Sequence, residues 1–342
     1  MTGAWRILAA LGLLAGVALA NVSFGAMTIP PATVIETAAR ALGLAGSGAD
    51  GGSATGPAMV LWSIRLPRLA LGLLVGAGLA VSGALLQAVF RNPLADPALT
   101  GASGGAAVGA AMVLVFGGAG LGALSLTGAA FLGAVVAALV VFLIARAAGP
   151  TETLTLILAG VAVNALTGSA LGTLMFITDE NQLRNLTFWT LGSVGGASWS
   201  IVAVLAVVVG IGLLVALALG RSLDLYQLGE AESAHLGINP ALLRIGTVAL
   251  AALMVGACVA FTGIIGFVGL VVPHLVRLWL GPQHRALLPM AALVGAALLS
   301  AADLVARTVA NPAELPIGVV TSAIGAPVFI GLLVGQTRSR GE

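Results

Sequence analysis

The chain of 342 residues is 59% hydrophobic and 8% charged, with a net charge of +2 and a mean hydropathy of +1.13. Soluble domains carry roughly 25% charged residues, so this composition belongs in lipid and excludes a soluble enzyme, a disordered chain and a nucleic-acid binder. All fourteen basic residues are arginine. With no lysine there is no Walker-type P-loop, whose lysine must reach the nucleotide phosphates, and no Schiff-base cofactor.

Ten apolar segments follow in chain order, at 5–27, 69–90, 97–117, 119–145, 153–177, 197–220, 242–264, 265–281, 286–310 and 315–335. A span needs about 20 apolar residues, so the pattern predicts an all-α membrane protein with about ten transmembrane helices in a single domain, 1–342. The first segment contains Ala18-Leu19-Ala20, which looks like a signal-peptide cleavage site, but the apolar run continues to Met27 and reads as an uncleaved span. The loop 28–57 holds a short amphipathic helix, Pro31 to Leu44, with Val34, Ile35, Ala38 and Leu42 on one side, followed by a Gly/Ser-rich linker. Asp96-Pro97 reads as a helix N-cap with proline at the first position.

The segment 221–240 is the most polar connection. Gly229 and Gly237 bracket a short helix carrying Glu230, Glu232 and His235. It either caps the bundle or offers a docking surface to a soluble motor. Asp303 and Arg307 are four apart and share a helix face. His235, His274 and His284 have no metal-ligand spacing.

Ten spans put both termini on one side. With the termini inside, nine arginines fall in inner segments and five in outer ones, which favours cytoplasmic termini. An internal repeat relates Val75–Gly83 to Val255–Gly263, with five of nine positions identical and a proline 18 residues after the start of each copy, Pro93 and Pro273. The copies lie on the second and seventh spans, an odd number apart, so spans 2–5 and 7–10 are expected as an inverted repeat, a signature of transporters. Asp96, Glu152 and Asp303 all fall near span ends. A proton-driven carrier would want a mid-span carboxylate, so the energy is expected from another subunit.

Several longer motifs carry a resemblance. Arg65-Leu66-Pro67-Arg68, the run Gln87 to Pro97 (QAVFRNPLADP), Leu228-Gly229-Glu230, His235-Leu236-Gly237, Gly266 to His274 (GFVGLVVPH), Gly281 to Arg285 (GPQHR) and Glu314 to Thr321 (ELPIGVVT) resemble the FecCD-type permeases. These are the membrane subunits of ABC importers for iron-siderophores, haem and cobalamin. The likeness covers about residues 60–335. It implies a homodimer of ten-helix subunits in the bacterial inner membrane, two ABC ATPase subunits that bind the ATP, and a periplasmic binding protein that delivers cargo. No cofactor, metal or catalytic residue is implied for this chain, and no nucleic acid.

By position, the resemblance makes Arg65, Arg68 and Arg307 the receivers of acidic groups on the binding protein. Arginine suits this because its planar fork grips a carboxylate bidentately. It makes Leu228, Gly229, Glu230, Glu232 and His235 the coupling surface for the ATPase. It places the cytoplasmic gate at Asn92, Pro93 and Leu94 together with Thr153 and Leu154.

The stretches Asp179 to Ser193 and Gly229 to Gly237 look like the haem-uptake branch. On that reading haem is the transported substrate, delivered by a periplasmic haem-binding protein. Arg184 would meet a propionate with a charge-assisted hydrogen bond, and Met175, Phe188 and Trp189 would contact the ring. The alternative for this stretch is an interfacial aromatic belt with Arg184 paired to Asp179 or Glu180. Two further functions stay open: the same machine importing a ferric siderophore or cobalamin, and an ion-coupled secondary carrier.

Overall fold

The computed structural model describes residues 4–25, 30, 34, 56–117, 123–147, 153–310 and 312–338. The expected loop 28–57 and its short helix lie almost entirely outside the described residues. Ten apolar helices match the ten expected segments. They are α1 (Ala4–Ser23), α2 (Leu66–Val89), α3 (Ala102–Phe116), α4 (Ala123–Ala147), α5 (Thr153–Ile177), α7 (Trp199–Tyr226), α9 (Pro240–Thr262), α10 (Val268–Leu280), α11 (His284–Thr308) and α12 (Ile317–Arg338). Among the described residues, seven of them are long and apolar enough to cross a membrane alone, and α3, α10 and the stretch Ile317–Gly331 of α12 are shorter apolar helices. Two polar helices sit between spans, α6 (Glu180–Leu191) and α8 (Glu230–His235). The chain is a multi-pass helical membrane protein.

Helix runs unbroken into the second span from Gly56 instead of from 69, and two other boundaries differ from expectation, each for a local reason. The third span was expected from residue 97, but Pro97–Thr100 forms a separate 3-10 turn and α3 begins only at Ala102, after Gly101 turns the backbone left-handed (φ +75°). Asp96 does act as an N-cap, accepting from the Ala98 N–H at 2.7 Å, but of that single turn. At the other boundary α7 runs on through Tyr226 instead of ending near 220, because Gly220, Leu223 and Tyr226 continue its buried face.

The packing exchanges symmetrically between the two halves. α2 packs on α11 and α10, while α9 packs on α4 and α3; α3 pairs with α4 as α10 pairs with α11. Equivalent repeat positions meet at the centre, where a Cβ on Gly78 would lie 3.0 Å from the Cys258 sulfur. The repeat's Gly76 lets α2 reach the backbone of α11 at Gly295, and its counterpart Gly256 lets α9 approach α4, where a Cβ would stand 2.9 Å from that of Ala134. In lipid such crossings are held by van der Waals contact, so small residues decide how closely backbones approach. α3 and α10 also start alike, each directly after a left-handed residue, Gly101 and Phe267 (φ +68°). The equal proline offset has no structural counterpart: Pro93 lies in the turn after α2, and Pro273 lies inside α10.

α2 is the central helix. Its span is 83% buried, against 22% for α5 and 28% for α4 and α7, so those three present most of their surface outward.

Candidate functional site

Polar side chains gather at the two ends of the bundle. One end is built from the start of α2, the end of α11 and the end of α1. A short helix, Gly56–Val60, and a π-helical turn, Leu61–Arg65, lead into α2 here. Arg68 uses both edges of its guanidinium. Nε and Nη2 donate to Asp303 Oδ1 at 3.0 and 2.9 Å, and Nη1 and Nη2 donate to Glu314 Oε1 and Oε2, both at 2.9 Å. Arg307 donates to the carbonyl of Asn21 and, at 2.8 Å, to its side-chain oxygen, and lies 3.8 Å from Asp303. Arg65 donates to the carbonyls of Val22 and Ser23, the latter at 3.0 Å.

All three arginines are buried. Two of them satisfy carbonyls that the last turn of α1 leaves without intrahelical partners, and a cation there also complements the helix dipole. Glu314, half exposed outside the spans, has its carboxyl held below the usual range by the hydrogen bond from Arg68, with burial acting the other way. Among the described residues, Arg68 and Arg307 share the Asp303 carboxylate, and Arg68 also holds Glu314.

At the opposite end, α2 closes in a Schellman arrangement. Asn92 N–H donates to the Gln87 carbonyl at 3.2 Å and Arg91 N–H to that of Ala88 at 3.3 Å. The left-handed C′ position, where glycine is usual, is held by Arg91 at φ +47°. A side chain there costs roughly 1–2 kcal/mol. Its guanidinium lies over the Tyr226 ring, 4.5 Å from the centroid, and donates to the Tyr226 carbonyl at 2.7 Å. In return Gln227 donates to the Ala88 carbonyl at 2.8 Å. The Tyr226 hydroxyl donates to Glu230 Oε1 at 3.0 Å, which also receives Arg244 at 2.7 Å.

Beyond Arg91 the Asn92 side chain shapes the next turn by accepting from Leu94 N–H at 2.9 Å. Behind the turn, Asp96 has its carboxyl pushed up by burial, with the Ala98 N–H pulling the other way. α5 meets this region through Asn164, which donates to the Ala98 carbonyl at 2.9 Å, and through Gly160, packed on the backbone of Leu99.

The expected coupling residues divide in two. Glu230, itself half exposed, is tied to Tyr226 and Arg244, while Leu228, Glu232 and His235 are exposed. Gly229 takes φ +139° and Glu232 folds over it. Of the expected gate residues, Leu94 and Leu154 are exposed, and Thr153 is the first residue of α5.

These motifs now have relatives to be measured against. The FecCD transport family matches residues 13–335. The chain belongs to that family. FecCD relatives include the hemin transport system permease protein HmuU of Yersinia pestis, 45% identical over 82% of this chain and 85% of the relative. The vitamin B12 import system permease protein BtuC of Vibrio cholerae is 44% identical over 80% and 82%. A solved metal-chelate-type ABC transporter in an inward-facing conformation superposes with a TM-score of 0.84 at 32% identity, covering 97% of this chain and 99% of that one. PsaBC of Streptococcus pneumoniae, 16% identical with a TM-score of 0.54, shares the fold.

Within the FecCD frame, the four residues expected to face cargo sit at the Arg68 end but in different settings. Phe188 and Arg184 are exposed on α6. Arg184 donates to Asn181 at 3.3 Å, and Asp179 instead caps α6 through Gln182 N–H at 2.8 Å. Met175 packs with Ala111, Leu174 and Leu186, and Trp189 packs against the main core. Sequence reasoning missed the outward face of α5. Ala165, Gly168, Ser169, Gly172 and Thr173 are all exposed there, a row of small and hydroxyl residues flanked by exposed Leu158, Val161, Leu166 and Phe176. The i, i+3, i+4, i+7 spacing of small residues was the available signal.

Proposed function

We propose that this chain is the permease subunit of an ATP-driven importer that moves haem from periplasm to cytoplasm. The observation that carries the cargo is the 45% identity to the hemin permease of Yersinia pestis. The subunit works as a homodimer in the bacterial inner membrane with both termini cytoplasmic. Two ABC ATPase subunits bind the ATP at the Arg91 end, and a periplasmic haem-binding protein docks at the Arg68 end.

The gathering of Arg65, Arg68 and Arg307 at this end supports that docking, because a guanidinium fork can grip a carboxylate of the binding protein. The exposed Leu228, Glu232, His235 and Leu236 form the ATPase-facing surface of the coupling segment, with Gly229 supplying its turn and Glu230 holding it in place. Asn92, Pro93, Leu94, Thr153 and Leu154 form the cytoplasmic gate. The small-residue face of α5 lines the path between subunits, where a second copy, and not lipid, would meet it. Arg184 and Phe188 greet a propionate and the ring at the mouth, while Met175 and Trp189 support them from behind.

The same machine carrying cobalamin is the second reading, favoured by 44% identity to the vitamin B12 permease. The test is complementation. Expressed with its ATPase and binding protein in a bacterium lacking haem uptake, the chain should restore growth on haem as sole iron source. Restoration of cobalamin-dependent growth alone would move the cargo to the second reading.

A further inference from the structure

We propose that Arg91 is a positioning residue that transmits movement of the coupling helix α8 to the gate turn at 92–94. The inference rests on the reading of α8 as the ATPase-facing element and goes beyond it by naming the physical link.

Three observations converge on Arg91. It occupies the one position of the α2 cap where an L side chain is disfavoured and glycine fits best, so the backbone alone does not account for arginine there. Its side chain reaches the last residue of α7, over the Tyr226 ring and onto the Tyr226 carbonyl. The engagement is reciprocal, because Gln227 returns a hydrogen bond to the last turn of α2.

The ends of α2 and α7, 135 positions apart in the chain, are therefore stapled in both directions. Tyr226 extends the staple to Glu230, the first residue of α8, and Arg244 anchors Glu230 to α9. On the other side, the residue after Arg91 is Asn92, whose side chain shapes the turn to Leu94. A displacement of α8 thus has a continuous polar route through Glu230, Tyr226 and Arg91 into the turn. The link needs a planar cation that can stack and donate at once, which is a property of arginine and not of lysine.

The test uses a thiol reporter at the turn. Cys258 is buried, so Leu94→Cys places one accessible thiol on the chain. In proteoliposomes holding the complex with its ATPase, the maleimide labelling rate at this thiol is compared with and without Mg-ATP. The parent should change by about tenfold. Added Arg91→Gly should abolish the change while leaving the melting temperature of the complex equal or higher, since glycine relieves the left-handed backbone. Arg91→Lys should restore only part of the response. Tyr226→Leu, which leaves the α2 cap untouched, should abolish it as well and serves if the glycine variant does not assemble.

An unaltered ATP response in Arg91→Gly or Tyr226→Leu, or no response in the parent, would overturn the inference. Uptake by the chain without the reporter is measured in parallel. Uptake without a labelling response sinks this link alone, whereas an Arg91-dependent labelling response without uptake sinks the importer reading and leaves the link standing.

Discussion

Arg68 and Asp303 lie 235 positions apart and meet through paired hydrogen bonds of 2.9 to 3.2 Å, with side chains 10% and 3% exposed. The pair joins the first turn of α2 to the last turns of α11, two closely packed helices. Removing one partner of such a pair strands a buried charge, at a cost of about 3–5 kcal/mol. Arg68→Ala should therefore lower the melting temperature of the purified protein markedly. Asp303→Asn should lower it less, because Arg68 keeps Glu314.

Glu314 gives the same cluster a pH dependence. Its folded carboxyl titrates below the unfolded value because Arg68 donates to it, so its stabilisation is present above the ordinary carboxylate range and is lost as pH falls through the depressed folded value. The side chain is 49% exposed, so solvent screening holds the contribution to about 0.2–1 kcal/mol. Glu314→Gln should lower the melting temperature slightly at pH 7 and match the wild type once the pH is low enough to protonate Glu314 in the folded protein.

The coupling segment separates anchoring from docking. Glu230 accepts from both Tyr226 and Arg244, so Glu230→Lys should reduce thermal stability as well as assembly with the ATPase. Glu232 is exposed, so Glu232→Lys should leave the melting temperature unchanged and weaken co-purification of the ATPase. Normal assembly of Glu232→Lys would remove it from the docking surface.

Close helix contact yields a packing prediction. A Cβ on Gly83 would strike the backbone of Gly269, where α2 crosses α10, and backbone cannot yield as a side-chain tip can. Gly83→Ala should cost about 1–3 kcal/mol in unfolding, while Gly210→Ala, at a position where a Cβ meets nothing within 4 Å, should be neutral or stabilising by helix propensity.

The spans were legible because apolar length in lipid is nearly sufficient to specify a helix. The repeat was legible through Val75–Gly83 and Val255–Gly263, whose Gly76 and Gly256 do matching work at matching crossings. The turn at Pro97–Thr100 was misplaced because Pro97 is as good a first residue for a 3-10 turn as for a span. The tethers that define both ends, Arg68 to Asp303 and Arg91 to Tyr226, join residues more than 100 positions apart, and no local pattern encodes such contacts. The outward face of α5 escaped notice because alanine, glycine and serine suit a helix contact, lipid and a water-lined path alike.

The most direct measurement is uptake into proteoliposomes holding this chain and its ATPase, with the binding protein supplied in turn with haem, cobalamin or a ferric siderophore. The account predicts haem uptake that requires ATP, is blocked by vanadate and persists with ionophores. Vanadate-insensitive uptake that collapses with ionophores would contradict it, and ATP-driven uptake of cobalamin or siderophore without haem would overturn the cargo.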